Sequence, residues 1–204
     1  MYKDYGFQSS IPPHTHSYLF DPIRKILDPE KNKKILDVGC GNGWLALALI
    51  KEEFDVYGID ASPSGIEIAN KQAPGRFFVQ DINDEQIPIP LRGIPFDTII
   101  STEVIEHLYS PLKYLEFCRR IIEPQKGEII ISTPFHGYIK NLVLSATGKM
   151  DKHFTVLWEG GHIKFWSRAT LEKAMEMTGF TPKQFVGCGR VPFLWKSMVI
   201  KAAV

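Results

Sequence analysis

Lys33-Lys34-Ile35-Leu36-Asp37-Val38-Gly39-Cys40-Gly41-Asn42-Gly43-Trp44-Leu45 is the stretch whose reading decides the fold. An apolar run stops at an acid, three glycines alternate, and an apolar helix begins. Glycines at a strand-to-helix turn let a backbone approach a ligand closely, and the helix start that follows offers free N–H groups. Dinucleotide-binding turns use Gly-x-Gly-x-x-Gly with a small third residue for close helix packing. The third position here is Trp44, which is too bulky. The loop therefore points to a nucleoside-bearing cofactor other than NAD, and a nucleotide-dependent oxidoreductase is disfavoured.

Working outward, strand and helix signals alternate, as in a parallel sheet covered by helices. Strands are predicted at 34–38, 55–59, 76–79, 96–101 and 127–133, with a last pair near 185–186 and 197–202. Helices are predicted at 44–51, 63 onward, 111–122 and 168–177. Ser62-Pro63 is a capped helix start, and Ser167 and Gly179 bracket the last helix. Acids close the second and third strands at Asp60 and Asp81. In such sheets ligands bind beyond the carboxyl ends of the strands. An acid at the second strand end suits ribose hydroxyls, and one after the third suits an adenine amino group. A single strand-end acid is ordinarily a turn former; three in register with the glycine loop make a site.

The acid-plus-glycine loop with its strand-end acids resembles motif I and its sequel in class I S-adenosylmethionine (SAM) methyltransferases, over about residues 33 to 133. The resemblance implies a Rossmann-like α/β fold: seven strands, mostly parallel, with helices on both faces and the last strand antiparallel. It also implies cofactor roles. Gly39, Cys40 and Gly41 would line the methionine part of SAM, with Asp37 beneath its amino group. Asp60, with Ala61 beside it, would hold the ribose, and Asp81 and Ile82 the adenine. Thr102 and Glu103 would flank the methyl.

A second string, Glu103-Val104-Ile105-Glu106-His107, follows the fourth strand. On a helical turn, positions i, i+3 and i+4 share a face, which would put Glu103, Glu106 and His107 together. Two carboxylates and an imidazole suit a divalent cation such as Mg²⁺ or Mn²⁺, which would lower the pKa of an acceptor hydroxyl. His107 acting alone as a base is the competing reading. The string resembles the Glu-x-x-Glu-His of ubiquinone-biosynthesis O-methyltransferases. It partly resembles that of small-RNA 2′-O-methyltransferases, which have a second histidine where this chain has Leu108. In the ubiquinone-type enzymes a histidine precedes a Lys-Phe-like segment; Gly161-His162-Ile163-Lys164-Phe165 holds that place. His162 is thus a further candidate base or ligand.

Two segments fall outside the alternation: residues 1–30, read as an N-terminal cap, and 134–166, between the fifth strand and the next clear helix. The second holds six aromatics and three histidines. A connection this long is a functional lid or linker, and its aromatic content argues against disorder. A helical insert with its own small core is the plainer reading, with a helix at 138–147. His14, His16, His136 and His153 read as surface or structural, and Trp158, Phe165 and Trp166 as packing.

The 204 residues fit one domain, and the net charge of +1 gives no electrostatic case for nucleic acid. Cys40, Cys118 and Cys188 are odd in number and share no Cys-x-x-Cys spacing, as expected of reduced thiols in a cytoplasmic protein. No apolar run approaches the ~20 residues of a membrane span. The function expected is methyl transfer to a small-molecule acceptor, most simply at a hydroxyl. The alternatives are a SAM-binding or adaptor protein without catalysis, disfavoured by the intact Glu-x-x-Glu-His, and a metal-independent N- or C-methyltransferase using His107 as base.

Overall fold

The central strands are apolar on both faces, so they can only be satisfied with helices above and below. The computed structural model describes residues 6–81, 84, 86–154, 157–158 and 160–204. Its strands are β1 (Lys34–Val38), β2 (Asp55–Asp60), β3 (Phe77–Val79), β4 (Thr98–Thr102), β5 (Glu128–Pro134), β6 (Thr181–Cys188) and β7 (Ser197–Ala203). They form one sheet in the order β3-β2-β1-β4-β5-β7-β6. β7 runs antiparallel to both neighbours and the other pairings are parallel. This is the predicted sheet, with ends differing by a few residues.

The helices are α1 (His16–Ile26), α2 (Trp44–Lys51), α3 (Pro63–Gln72), α4 (Pro111–Ile122), α5 (Tyr138–Ala146), α6 (Met150–Phe154) and α7 (Arg168–Met177). Alternation along each strand sends successive side chains to opposite faces. Leu36, Ile99, Ile129, Ile131 and Ile200 join Tyr114, Leu115, Cys118, Leu171 and Met175 of α4 and α7 in one core layer. Ile35, Ile100, Ile130 and Val199 join Leu19, Ile23, Leu45, Leu49 and Ile66 of α1, α2 and α3 in the other.

Residues 1–30 are more than a cap. Within that segment His16–Ile26 forms α1, whose Leu19 and Ile23 are fully buried. Pro22 lies inside the helix and disguises it as a break. The insert at 134–166 contains α5 as predicted, and also α6. Its aromatic residues form a cluster of their own: His136 stacks on Phe154 at 6.1 Å, and Phe165 meets Phe154 edge-on at 4.9 Å. The insert is tied to the sheet where the Ile163 and Lys164 amides both donate to the Glu106 carbonyl.

The strand order reverses between β1 and β4, which opens a crevice at their carboxyl ends. Around it lies a cavity of about 2270 Å³. Typical small-molecule sites are about 300–1,000 Å³, so this one has room for two ligands side by side.

Candidate active site

The glycine loop forms because its three glycines, Gly39, Gly41 and Gly43, all have positive φ. Gly39 and Gly43 also meet a neighbour too closely for a side chain. A Cβ on Gly39 would lie 2.3 Å from Val104 Cγ2, and one on Gly43 would lie 2.6 Å from Ala69 Cβ. Gly43 thus provides the helix-packing contact that position 44 supplies in dinucleotide folds. Trp44 is turned aside against His16 and Phe20.

The predicted cofactor residues converge on the cavity: Asp37, Gly39, Cys40, Gly41, Asp60, Ala61, Asp81 and Thr102 all line it. Ile82 lies outside the described residues. Asp37 is 1% exposed, and neither carboxylate oxygen has a hydrogen-bond partner. Burial, then the charge of Asp60, pushes its pKa up to about 8. A buried carboxyl without partners stays neutral unless a cation is placed beside it. Asp60 is already engaged: one oxygen accepts from the Gly41 amide at 2.8 Å and the other from the Ser62 amide at 2.7 Å. Cys40 reaches the cavity wall, but its thiol packs in the core under α1–α3.

The second string departs from the helical face expected of it. Glu103 has φ +55° and ends β4 in a left-handed turn; the helical turn that follows is 3₁₀ and spans only Ile105–His107. The Glu103 carboxylate is drawn toward β5 and β7, accepting from the hydroxyls of Ser132 at 2.9 Å and Ser197 at 3.2 Å. Burial raises its pKa to about 7, against the lowering effect of those two bonds.

Glu106 is 1% exposed. Its Oε2 accepts from Thr133 at 2.9 Å, while Oε1 has no partner and faces His107 Nε2 at 3.9 Å. Burial, then the nearby Glu103, pushes the Glu106 pKa well up. His107 Nδ1 sits 2.8 Å from the Gly160 carbonyl, so Nδ1 carries the proton and Nε2 keeps its lone pair. The rings of His107 and His162 are 4.9 Å apart. Burial holds both imidazoles below their usual pKa, with His162 at about 4. Ligand atoms of Glu106, His107 and His162 lie within 4.8 Å of one another. The candidate cation set is therefore Glu106, His107 and His162; Glu103, expected in it, is replaced by His162 from the insert.

Two residues of the site, Ser132 and Ser197, were not singled out by the sequence. They hold Glu103 and are strand residues without a motif. Tyr18, whose hydroxyl is 3.4 Å from Ser197 Oγ, and His14 and His16 line the cavity from the N-terminal segment. His16 also packs on Trp44 with its pKa lowered by burial to about 4, in keeping with a structural role.

A family model described as a methyltransferase domain matches residues 13–184. The chain is 29% identical over 171 residues to a ubiquinone biosynthesis O-methyltransferase of Roseobacter denitrificans, covering 82% of this chain and 68% of that one. It is 32% identical over 134 residues to the enzyme of that name from Coxiella burnetii, covering 62% of this chain and 57% of that one. Among solved structures, the magnesium protoporphyrin IX methyltransferase of Synechocystis PCC 6803 with bound SAH superposes with TM-score 0.65 at 20% identity, over 91% of this chain and 81% of that one. A SAM-dependent methyltransferase of Mesorhizobium loti gives TM-score 0.68 at 17% identity, over 90% of this chain and 96% of that one. The glycine loop, the strand-end acids and these matches agree: the chain belongs to the methyltransferase-domain family and is a SAM-dependent methyltransferase with the class I fold.

Proposed function

We propose that this protein transfers the methyl of SAM to a hydroxyl oxygen of a small-molecule acceptor, with Glu106, His107 and His162 holding a divalent cation beside that oxygen. The observation that carries this reading is the unpartnered Glu106 Oε1, buried beside two neutral imidazoles at the cavity edge. A carboxyl that ionises when a cation is placed beside it and two imidazole nitrogens are a donor set for such an ion. The name shared by the relatives supports oxygen as the nucleophile. When bound, SAM supplies an electrophilic methyl on a sulfonium, and the cation makes an adjacent hydroxyl more acidic.

The chain's residues supply the positioning. Asp37 receives the cofactor's ammonium, and its two unpartnered oxygens fit that role. Gly39 and Gly41 let the methionine part lie on the backbone. Asp60 and Ala61 take the ribose side, and Asp81 the adenine side. Thr102 and Glu103 border the methyl, where alignment of oxygen, carbon and sulfur sets the rate. His107 Nε2 is also placed to accept the hydroxyl proton, so a cation-free reaction with His107 as base is the second reading. The insert at 134–166 acts as a lid, because it carries His153, Phe154, Trp158 and His162 to the cavity wall.

Mn²⁺ binding followed by electron paramagnetic resonance separates the two readings without knowledge of the acceptor. We expect one Mn²⁺ site in the protein. Glu106→Gln should weaken it at least tenfold while SAH affinity stays within about twofold of wild type, and turnover should stop with EDTA and return with Mg²⁺. No Mn²⁺ binding, or turnover indifferent to EDTA, would leave His107 as the base.

A further inference from the structure

The cavity wall beyond Glu103 is strongly cationic. Lys140 of α5 and Arg190 and Lys196 of the β6–β7 connection all line it. Lys140 is 5% exposed, which is rare for a lysine. Its ammonium donates to the Phe135 carbonyl at 2.7 Å and the Lys196 carbonyl at 3.2 Å. An ammonium has three hydrogens, so one is left for the cavity. The second of those bonds fastens α5 to the connection that bears the other two cations. Lys196 lies over the Tyr18 ring at 4.9 Å, which turns it inward along the same wall.

None of the three forms an ion pair among the described residues, whereas Lys34, Arg76 and Lys201 each have a carboxylate. Arg190 instead acts on Lys140. Lys140 is lowered to about 8 by burial and then by Arg190, with Glu103 opposing. His153, also on the wall, is lowered by burial and by the same two cations. Gathering like charges in a partly desolvated cavity is costly unless an anion offsets it.

We propose that Lys140, Arg190 and Lys196 form an acceptor subsite for an anionic oxygen group, so that the molecule methylated here carries a carboxylate or phosphate ester as well as the reacting hydroxyl. The inference rests on the methyl-transfer reading and narrows its substrate class. A buried ammonium in the first turn of an otherwise exposed helix and a guanidinium on a turn can grip such a group from two sides. The anchor also orients the hydroxyl, since Lys140 and Glu103 share one wall.

The test is calorimetry with SAH and Mg²⁺ present, using 3,4-dihydroxybenzoate, its methyl ester and 3,4-dihydroxybenzyl phosphate. At least one anion should bind tenfold or more tighter than the ester, and the better anion tells carboxylate from phosphate. Arg190→Gln and Lys196→Gln, on less buried residues, should each cut that preference at least threefold, and Lys140→Met should abolish it. An ester that binds as tightly as both anions overturns the proposal, as does binding of none of the three by a protein that binds SAH. SAH affinity that falls in step in the variants gives the cations to the cofactor's own carboxylate and also overturns it. A preserved anion preference without turnover of any probe supports the subsite and counts against methyl transfer alone.

Discussion

Asp37 shows how one residue reports the ligand a site is built for. Its carboxyl is raised from 3.8 to about 8 by burial and by Asp60. A group with a raised folded-state pKa contributes stability at low pH that is lost as pH rises through the window, here between about 4 and about 8. The ligand-free protein should therefore melt at progressively lower temperature across that window. In Asp37→Asn the slope should flatten, and with SAH bound it should shrink because the ammonium pairs with the carboxylate. Differential scanning fluorimetry at a series of pH values measures all three; an unchanged slope in the variant would remove Asp37 from this role. Asp37 was legible in the sequence because its position depends on a local turn. The placement of Glu103 was not: Ser132 and Ser197, which turn its carboxylate away from the candidate cation set, come from strands 29 and 94 residues away.

At the scale of elements, sequence patterning worked wherever one force dominated. The apolar runs of β1, β4 and β5 and the capped starts of α3 and α7 lie within two residues of expectation. Ser62 and Ser167 cap those helices by accepting from Gly65 and Thr170. It failed at α1, where Pro22 lacks the amide that would bond back along the helix and burial of Leu19 and Ile23 outweighs that loss. The turn between β1 and α2 offers a sharp test. Gly43→Ala must hold φ near +76° with its Cβ against Ala69. It should destabilise the fold by about 2–4 kcal/mol, from the left-handed backbone and overpacking together. Urea unfolding measures this, and a cost below about 1 kcal/mol would show that α2 and α3 separate freely.

At the scale of the whole molecule, the cavity gathers residues from the N-terminal segment, all the strand ends from β1 to β5, the insert and the β6–β7 connection. A ligand spanning these elements should stabilise them as a unit. At a hundredfold excess over Kd, SAH should add about 2.7 kcal/mol to the unfolding free energy. For a chain of this size that is roughly 5–10 °C in Tm, measurable by calorimetry; Asp60→Ala should erase most of it. No helix among the described residues is long and apolar enough to cross a membrane.

The sequence by itself determined the sheet, the glycine cradle and the strand-end acids, because each depends on interactions within a few residues: alternation, caps and positive-φ turns. It also named Glu106, His107 and His162. Tertiary structure decided how they meet. His162 joins the candidate cation set, and Glu103 leaves it, because the insert folds back onto the Glu106 carbonyl and two serines from distant strands pull Glu103 away. Lys140, Arg190 and Lys196 are unremarkable along the chain and become a cationic wall only when α5 and the β6–β7 connection close one cavity. Charge and burial there belong to the fold, and a single sequence carries no local signal for them.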